Sequence, residues 1–152
     1  MIEYRIANME DGQRLIDLLL GKFWPEHKLG GRQLAPDIPK ISRTIIDEML
    51  NGTVFIAISD GKAVGSLGLH PFSPWWTSEQ ILADTWFFVD PEYRSKGVAK
   101  ELLAMGKQFA IAQGKPMTVG VYNSHDSDRK DAFFRRSGFE MIGGWYLANG
   151  GE

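Results

Sequence analysis

The apolar residues of this chain recur with two different periods, and the change of period along the sequence predicts where helices and strands lie. Helical spacing, with an apolar residue every three or four positions, follows Asn8, Asp37 and Gly97. Continuous or alternating apolar runs, typical of strands, occupy residues 1–6, 53–59, 62–70, 81–89, 117–122 and 141–147. A shorter helix is predicted within AFFRRSGF, just before the last of these strands.

Polar residues at the ends of these segments support the same boundaries. Asn8 and Asp11 have the spacing of a helix-capping pair, and Asp37 is placed to cap the second helix. The dipeptide Asp60-Gly61 separates two apolar runs, which is a strong signal for a two-residue β-hairpin turn. The predicted order is β-α-α-β-β-β-α-β-α-β, an α/β fold around one mixed sheet, with residues 1–152 in a single domain.

Composition narrows the classes of function. The 152 residues carry 17 basic and 19 acidic side chains, a net charge of −2 that offers no basic surface for general nucleic-acid or membrane binding. The chain contains no cysteine, so disulfides, thiolate zinc sites and a cysteine nucleophile are excluded, and no metal site is predicted. The sequence shows no signal-peptide core and no apolar run of the roughly 20 residues that a membrane span requires. A cytoplasmic protein is expected.

One stretch, VDPEYRSKGVAKELL at residues 89–103, places two cations and a glycine between a predicted strand and a predicted helix. The first N–H groups of a helix have no internal partners and carry partial positive charge. Arg94 and Lys96 add full charges, and Gly97 lets the backbone approach a ligand closely. Together these features suit a pyrophosphate. The spacing alone fits an ordinary capped helix start equally well.

The same stretch closely resembles the R/Q-x-x-G-x-G/A motif of the GCN5-related N-acetyltransferase (GNAT) superfamily, and the element order resembles that fold along nearly the whole chain. The resemblance implies a GNAT-like mixed β-sheet flanked by helices on both faces, and acetyl-CoA as the cofactor. It implies that Phe88 and Val89 pair with the pantetheine arm beside a β-bulge. It also implies that the diphosphate is bound by Arg94, Ser95, Lys96, Gly97, Val98 and Ala99. The tryptophan-rich region and FFRRSGF further resemble GNAT proteins of tailed bacteriophages.

The resemblance is weaker where the family often places its general acid. A tyrosine commonly lies four residues before the glycine of a Gly-Phe pair, and Phe134 holds that place before Gly138-Phe139. Phenylalanine cannot protonate a departing thiolate. The asparagine often found seven residues before the tyrosine is Ser127 here. Because a thiolate with a pKa of about 8.5 is not a demanding leaving group, transfer without a dedicated acid is chemically reasonable.

Two carboxylates are candidates for the general base that deprotonates an acceptor amine. Glu79 lies just before the strand at 81–89, and Asp84 lies within it. Asp84 interrupts the apolar run ILADTWFFV, which favours a partly buried carboxylate with a perturbed pKa. The alternative for both residues is an ordinary exposed charge on a strand. The resemblance implies that a backbone N–H of the same strand stabilises the oxyanion.

Four residues are candidates for binding the acceptor. The resemblance places the acceptor wall in the loop between the first two helices, where Glu26 and His27 lie; a plain surface loop is the alternative. Trp76, beside Trp75, fits an acceptor pocket, a dimer contact or the core. His125, within NSHDSD, is a candidate proton relay or an ordinary loop residue. The expected partner is an amine of a small molecule or a protein, and a homodimer is compatible with the paired tryptophans.

Two classes of function follow from these residues. The leading hypothesis is an N-acetyltransferase in which the amine attacks the acetyl thioester directly. The alternative is a non-catalytic acyl-CoA-binding or structural protein on the same fold, which Phe134 favours. A P-loop NTPase is a poor third choice, because none of the four Gly-Lys pairs in the chain is followed by Ser or Thr.

Overall fold

The computed structural model describes residues 1–121, 126–148 and 150 of the chain. Within these residues the strands are β1 (Glu3–Ile6), β2 (Thr53–Ser59), β3 (Lys62–Phe72), β4 (Ile81–Val89) and β5 (Met117–Thr118). The helices are α1 (Gly12–Leu18), α2 (Trp24–Glu26), α3 (Ile38–Asn51), α4 (Val98–Gln113) and α5 (Ser127–Arg136). A π-helical turn at Leu19–Phe23 joins α1 to α2, and 3₁₀ turns at Met9–Asp11 and Pro91–Tyr93 precede α1 and α4.

The strands form one mixed sheet in the order β1-β2-β3-β4-β5. β1 pairs with β2, β2 with β3 and β3 with β4 in antiparallel orientation, whereas β5 is parallel to β4 after the crossover through α4. The hairpin between β2 and β3 turns at Asp60 and Gly61, whose φ angles of 51° and 76° are those that a two-residue turn requires. The predicted fold class, an antiparallel meander combined with a strand-helix-strand crossover, is therefore confirmed.

The predicted helix caps are also confirmed. The Asn8 side chain accepts the Glu10 N–H at 2.9 Å, and the Asp11 side chain accepts the Asn8 N–H at 2.9 Å. At the start of α3, the Asp37 side chain accepts the Lys40 N–H at 3.0 Å. Each carboxylate or amide oxygen satisfies a backbone donor that the first turn of a helix leaves without a partner.

Helices cover both faces of the sheet, and each face has its own apolar core. The face under α1 and α3 buries Leu15, Leu18, Ile45, Val54, Ile56, Trp86 and Phe88. The face under α4 buries Phe55, Val64, Leu67, Leu69, Val89, Val98 and Leu102. Since successive strand residues point to opposite faces, neighbours such as Phe88 and Val89 join different cores. This arrangement fixes the end of β4 between two packed layers.

The structure corrects the prediction at the C-terminal side of the sheet. The strand predicted at 141–147 is wrong, because residues 139–148 form no strand and Met141, Ile142, Trp145 and Tyr146 are each more than half exposed. Gly143-Gly144 interrupts this apolar run, and glycine weakens a strand by its backbone entropy. Of the strand predicted at 117–122, residue 122 lies outside the described residues, and the described part forms a strand only at Met117–Thr118. Beyond it, the Gly120 N–H bonds to a side chain rather than to a neighbouring strand.

Candidate functional site

The loop between β4 and α4 has the geometry of an anion cradle. Gly97 adopts φ +78° and ψ 8°, a left-handed conformation that glycine adopts without strain. A Cβ atom at this position would meet no other heavy atom within 4 Å, so the space beside it is open. α4 begins at Val98, whose fully buried side chain anchors the helix start in the core. The first turn of a helix leaves its N–H groups without internal partners. The loop at residues 94–99, here called the anion loop, runs into this first turn.

Arg94 is held in place by three contacts around the anion loop. Its Nε donates to the Val89 carbonyl at 3.1 Å, and its guanidinium carbon lies 5.4 Å from the centre of the Phe88 ring. Its Nη2 donates to Glu26 Oε2 at 2.8 Å. Glu26 was predicted to line the acceptor, and the structure places its carboxylate against the anion loop. An internal carboxylate therefore contacts the cation that the sequence predicted for a phosphate.

The other residues predicted for the cofactor differ in exposure. Ser95 and Lys96 are exposed, with the Lys96 ammonium 4.8 Å from the centre of the Tyr93 ring, and Ala99 is half-buried. Phe88 and Val89 are 4% and 6% exposed. Because the side chains of Phe88 and Val89 are buried in the two cores, a ligand would contact these residues through their backbone groups.

Asp84 lies where β4 and β5 separate. Within the described residues, the two strands pair only at Leu82 with Met117 and at Ala83 with Thr118. At the next residue, Asp84 Oδ1 accepts the Gly120 N–H at 2.9 Å, so a side chain spans the gap that backbone pairing no longer closes. Burial raises the pKa of Asp84 to about 6, and the hydrogen bond from Gly120 opposes that rise. The structure thus places a carboxylate of raised pKa at the point of separation.

A β-bulge lies next to Asp84 on the same strand. Gly68 of β3 pairs with Trp86 and Leu69 pairs with Asp84, so Thr85 is an extra residue in β4. A bulge leaves its extra residue out of the ladder and bends the strand away from regular pairing. The bulge that the resemblance implied beside the pantetheine-binding residues is therefore present, three residues before Phe88.

The remaining predicted residues lie in different environments. His27 is half-buried: its ring stacks on Phe23 at 3.6 Å and contacts the Phe88 ring edge at 6.1 Å, and burial lowers the pKa of His27. Glu79 is exposed in the loop before β4, where its N–H bonds to the Thr77 hydroxyl at 3.1 Å. Trp76 is 71% exposed, so it does not belong to the core, one of the three alternatives for this residue. His125 lies outside the described residues.

Phe134 packs against the strand that carries the site. Its ring meets the Phe87 ring of β4 edge-on at 6.1 Å and the Phe139 ring at 5.8 Å. α5 is tied to α4 by Lys107 Nζ, which donates to the Ser137 carbonyl at 2.8 Å. Phe134 therefore contributes an apolar surface next to β4.

Sequence reasoning missed a second polar cluster, formed by Glu48, His70 and Thr85 and here called the bulge cluster. His70 Nδ1 lies 3.3 and 3.4 Å from the two Glu48 oxygens and 2.9 Å from the Thr85 hydroxyl. A signal for Glu48 was present, because it follows Ile45 by three residues on the apolar stripe of α3. The cluster borders a cavity of about 500 Å³ that is lined by Thr44, Asp47, Glu48, Asn51, His70, Pro71 and Thr85.

Two kinds of feature are absent from residues 1–121, 126–148 and 150. None of the helices there has the length and apolar character needed to cross a bilayer. That part of the chain also contains no group of three or more His, Asp or Glu side chains arranged to hold a metal ion.

Comparison with known proteins relates this geometry to a family. The family model described as the acetyltransferase (GNAT) domain matches residues 50–141, more than half of the chain, from the end of α3 past α5. Human N-acetyltransferase 8 is 34% identical over 97 residues, which are 63% of this chain and 41% of that protein. The chain thus matches less than half the length of this human relative.

Solved structures share the fold along nearly the whole chain. AAC(6')-Iy, in complex with the bisubstrate analog CoA-S-monomethyl-acetylneamine, superposes with a TM-score of 0.74 at 20% identity, covering 98% of this chain and 97% of that one. An acetyltransferase of Trypanosoma brucei gives 0.70 at 16% identity, with 98% and 99% covered. The aminoglycoside antibiotic 6'-N-acetyltransferase AAC(6')-IG of Acinetobacter haemolyticus gives 0.68 at 14% identity, with 97% of each chain covered. With an anion loop and separating strands inside the matched region, this chain belongs to the GNAT acetyltransferase family.

Proposed function

We propose that this protein transfers the acetyl group of acetyl-CoA to an amine by direct attack of the amine on the thioester. The observation that carries the proposal is the anion loop, which lies at the end of a strand that separates from its parallel neighbour. One arrangement thus combines a helix N-terminus open to phosphate with a gap between strands. The Asp84 carboxylate lies where that gap begins.

The residues around the anion loop fit a CoA diphosphate. The backbone N–H groups of Ser95, Gly97, Val98 and Ala99 would hold its charge together with the cations of Arg94 and Lys96, whose own N–H groups donate to the Pro91 and Tyr93 carbonyls. The open space beside Gly97 admits it. The backbone of Phe88 and Val89 would pair with the pantetheine arm. Acetyl-CoA supplies an acetyl group activated as a thioester.

Asp84 is the proposed acceptor of a proton from the attacking nitrogen. An amine that arrives as ammonium loses two protons when it becomes an amide, and one proton must reach the CoA sulfur. A carboxyl group with a raised pKa suits both tasks: it accepts a nitrogen proton and, once protonated, returns it to the sulfur. This role would replace the tyrosine for which Phe134 stands. Glu79, which is exposed in the loop before β4, is the weaker candidate base.

The acceptor is proposed to be an amine of a small molecule, with a protein amine as the second choice. One of the similar structures is an aminoglycoside antibiotic 6'-N-acetyltransferase, and another is a complex with the bisubstrate analog CoA-S-monomethyl-acetylneamine; both favour a small amine. The exposed Trp76 and the half-buried His27 stay candidates for contacting the acceptor. A phage source, a cytoplasmic location and a homodimer stay predictions from the sequence.

The test is acetyl transfer by the wild-type protein to a panel of amines, followed through release of the CoA thiol. The proposal expects thiol release that depends on the amine and matches the acetylated amine mole for mole. Calorimetry with CoA on the same sample separates the alternative. Tight CoA binding without transfer to any amine would favour the non-catalytic acyl-CoA-binding protein instead.

A further inference from the structure

We infer that His70, oriented by Glu48, is a second catalytic residue, which takes the first proton from the acceptor ammonium in the cavity at the bulge cluster. The inference rests on the proposed function and names a residue that the sequence did not indicate. Four observations carry it: the contacts of the imidazole, the burial of Glu48, the position of Thr85 in the bulge, and the proton balance of the reaction.

The contacts of His70 define which of its nitrogens is basic. Nδ1 lies 3.3 and 3.4 Å from the two oxygens of Glu48 and 2.9 Å from the Thr85 hydroxyl oxygen. An ionised carboxylate can only accept, so the nitrogen that faces it carries the hydrogen. In the neutral imidazole the other nitrogen, Nε2, is then the free base. A carboxylate behind a histidine fixes the tautomer and ring orientation in this way, as in catalytic triads.

Burying the Glu48 carboxylate costs folding free energy, which favours a functional role for Glu48 over a purely structural one. It is 6% exposed, although it lies on a helix whose opposite face is open to water. A buried carboxylate destabilises the fold unless it is paired. Its carboxylate reaches the sheet because Gly68 has no side chain: a Cβ there would lie 3.1 Å from Glu48 Oε2 and 3.0 Å from the Trp86 ring. Glycine at this place therefore makes room for the contact between Glu48 and His70.

The imidazole is adjacent to the proposed site of reaction. Thr85, whose hydroxyl His70 contacts, is the extra residue of the β4 bulge and follows Asp84 directly. Leu69, which pairs with Asp84, lies in the core under α4, while Glu48 and His70 meet the sheet from α3. The two candidate bases therefore approach the same point of β4 from opposite faces of the sheet.

Two bases match the number of protons that must leave the nitrogen. The ammonium first gives one proton to His70 Nε2, which releases it to water in the cavity. The free amine then forms the bond to the acetyl carbon while the carbon–sulfur bond breaks. The second nitrogen proton passes through Asp84 to the sulfur. The products are the amide, the CoA thiol and one proton in water, so atoms and charge balance.

The charged groups around the imidazole come from two elements. Glu48 and Asp47 of α3 line the same cavity. Asp84 of β4 interacts electrostatically with His70 from the other face of the sheet. All three are carboxylates, and the described residues that line this cavity include no Lys or Arg. This surrounding attracts a cationic acceptor such as an ammonium ion.

The experiment compares two acceptors of nearly equal size, ethylamine and methoxyamine. At neutral pH ethylamine is an ammonium ion and methoxyamine is uncharged, so only ethylamine must give up a proton before it attacks. We expect His70→Gln to lower kcat/KM for ethylamine by about 100-fold or more and to change that for methoxyamine far less. Glu48→Gln should show the same selectivity with a smaller loss. Asn51→Ala is the matched control: it changes another side chain that lines the same cavity without removing a charge, and it should affect the two acceptors equally.

The outcomes separate this inference from the proposed function. Equal losses with both acceptors, in variants that bind CoA and melt like the wild type, would overturn the role of His70. Absence of transfer by the wild-type protein to these two acceptors and to every other amine of the panel would overturn the proposed function, and the inference with it. If His70→Gln does not fold, His70→Asn and Glu48→Gln provide the same comparison.

Discussion

The ion pair between Arg94 and Glu26 makes a quantitative prediction for cofactor binding. In the structure, the cation expected to bind phosphate donates to Glu26 Oε2 at 2.8 Å. A diphosphate entering the anion loop must compete with this carboxylate for the guanidinium. We therefore expect Glu26→Gln to tighten CoA binding, although Glu26 itself touches a residue of the site.

The exposure of the two side chains sets the size of the effect. The Arg94 side chain is 49% exposed and that of Glu26 is 34% exposed. Exposed ion pairs contribute about 0.2–1 kcal/mol. Removing the competing carboxylate should therefore lower the Kd of CoA by about 1.4- to 5-fold at 25 °C. Because salt screens partly exposed charges, the gain should shrink as ionic strength rises.

Titration calorimetry with CoA at two salt concentrations measures this change. Glu92→Gln is the matched control, because it removes the same charge from the turn that leads into the anion loop. An Arg94→Gln background supplies the second control: there Glu26→Gln should have no more effect than Glu92→Gln. Weaker binding by Glu26→Gln would refute the reasoning, since it would mean that Glu26 positions Arg94 for the phosphate rather than competing with it.

Three further predictions concern the carboxylates and Phe134. Asp84→Asn should lower the transfer rate and yet raise the free energy of unfolding at neutral pH, measured in urea, by about 2 kcal/mol. Because burial raises the pKa of Asp84 from its ordinary value of 3.8 to about 6, the wild type loses stability as pH rises from about 3.8 to about 6, and the variant does not. Asp11 is fully buried between Arg5 and Arg14, and the Arg5 hydrogen bond lowers the pKa of Asp11 to about 2. Asp11→Asn should lower the free energy of unfolding by about 3 kcal/mol above pH 4. The difference in unfolding free energy between variant and wild type should shrink as pH falls from about 4 to 2, and a difference independent of pH would contradict this. Phe134→Tyr should slightly lower the melting temperature without CoA and leave transfer unchanged or modestly faster, because the new hydroxyl is added to a ring that packs against the Phe87 and Phe139 rings. A large loss of transfer would show that Phe134 shapes the acceptor pocket.

Local signals in the sequence were sufficient for most of the elements. β4 begins and ends where its apolar run does, and the hairpin turns at the predicted dipeptide because Asp60 and Gly61 both accept positive φ. The anion loop was visible for the same reason, since its glycine and cations lie within six consecutive residues. Such features depend on neighbours along the chain, which a sequence displays directly.

Features that depend on distant residues were not visible in the sequence. His70 and Glu48 are 22 residues apart on different elements, and Gly68 leaves space beside the Glu48 carboxylate. The C-terminal apolar run had strand-like spacing, but a strand also needs a partner edge, and β5 offers only two residues. The bond between Asp84 and Gly120 likewise joins residues 36 positions apart. The sequence suggested a perturbed Asp84 but could not show what it contacts.

Calorimetric titration of CoA into the wild-type protein and into Gly97→Asp tests the central claim most directly. Gly97 has φ +78° and open space beside it, so an aspartate there would be strained and would place a negative charge where the diphosphate is expected. The control Gly21→Asp adds the same charge to an open glycine on another element. We predict that the wild type and the control bind CoA and that a folded Gly97→Asp protein loses at least tenfold in affinity. Unchanged CoA binding by folded Gly97→Asp would contradict the assignment of the anion loop and the function built on it.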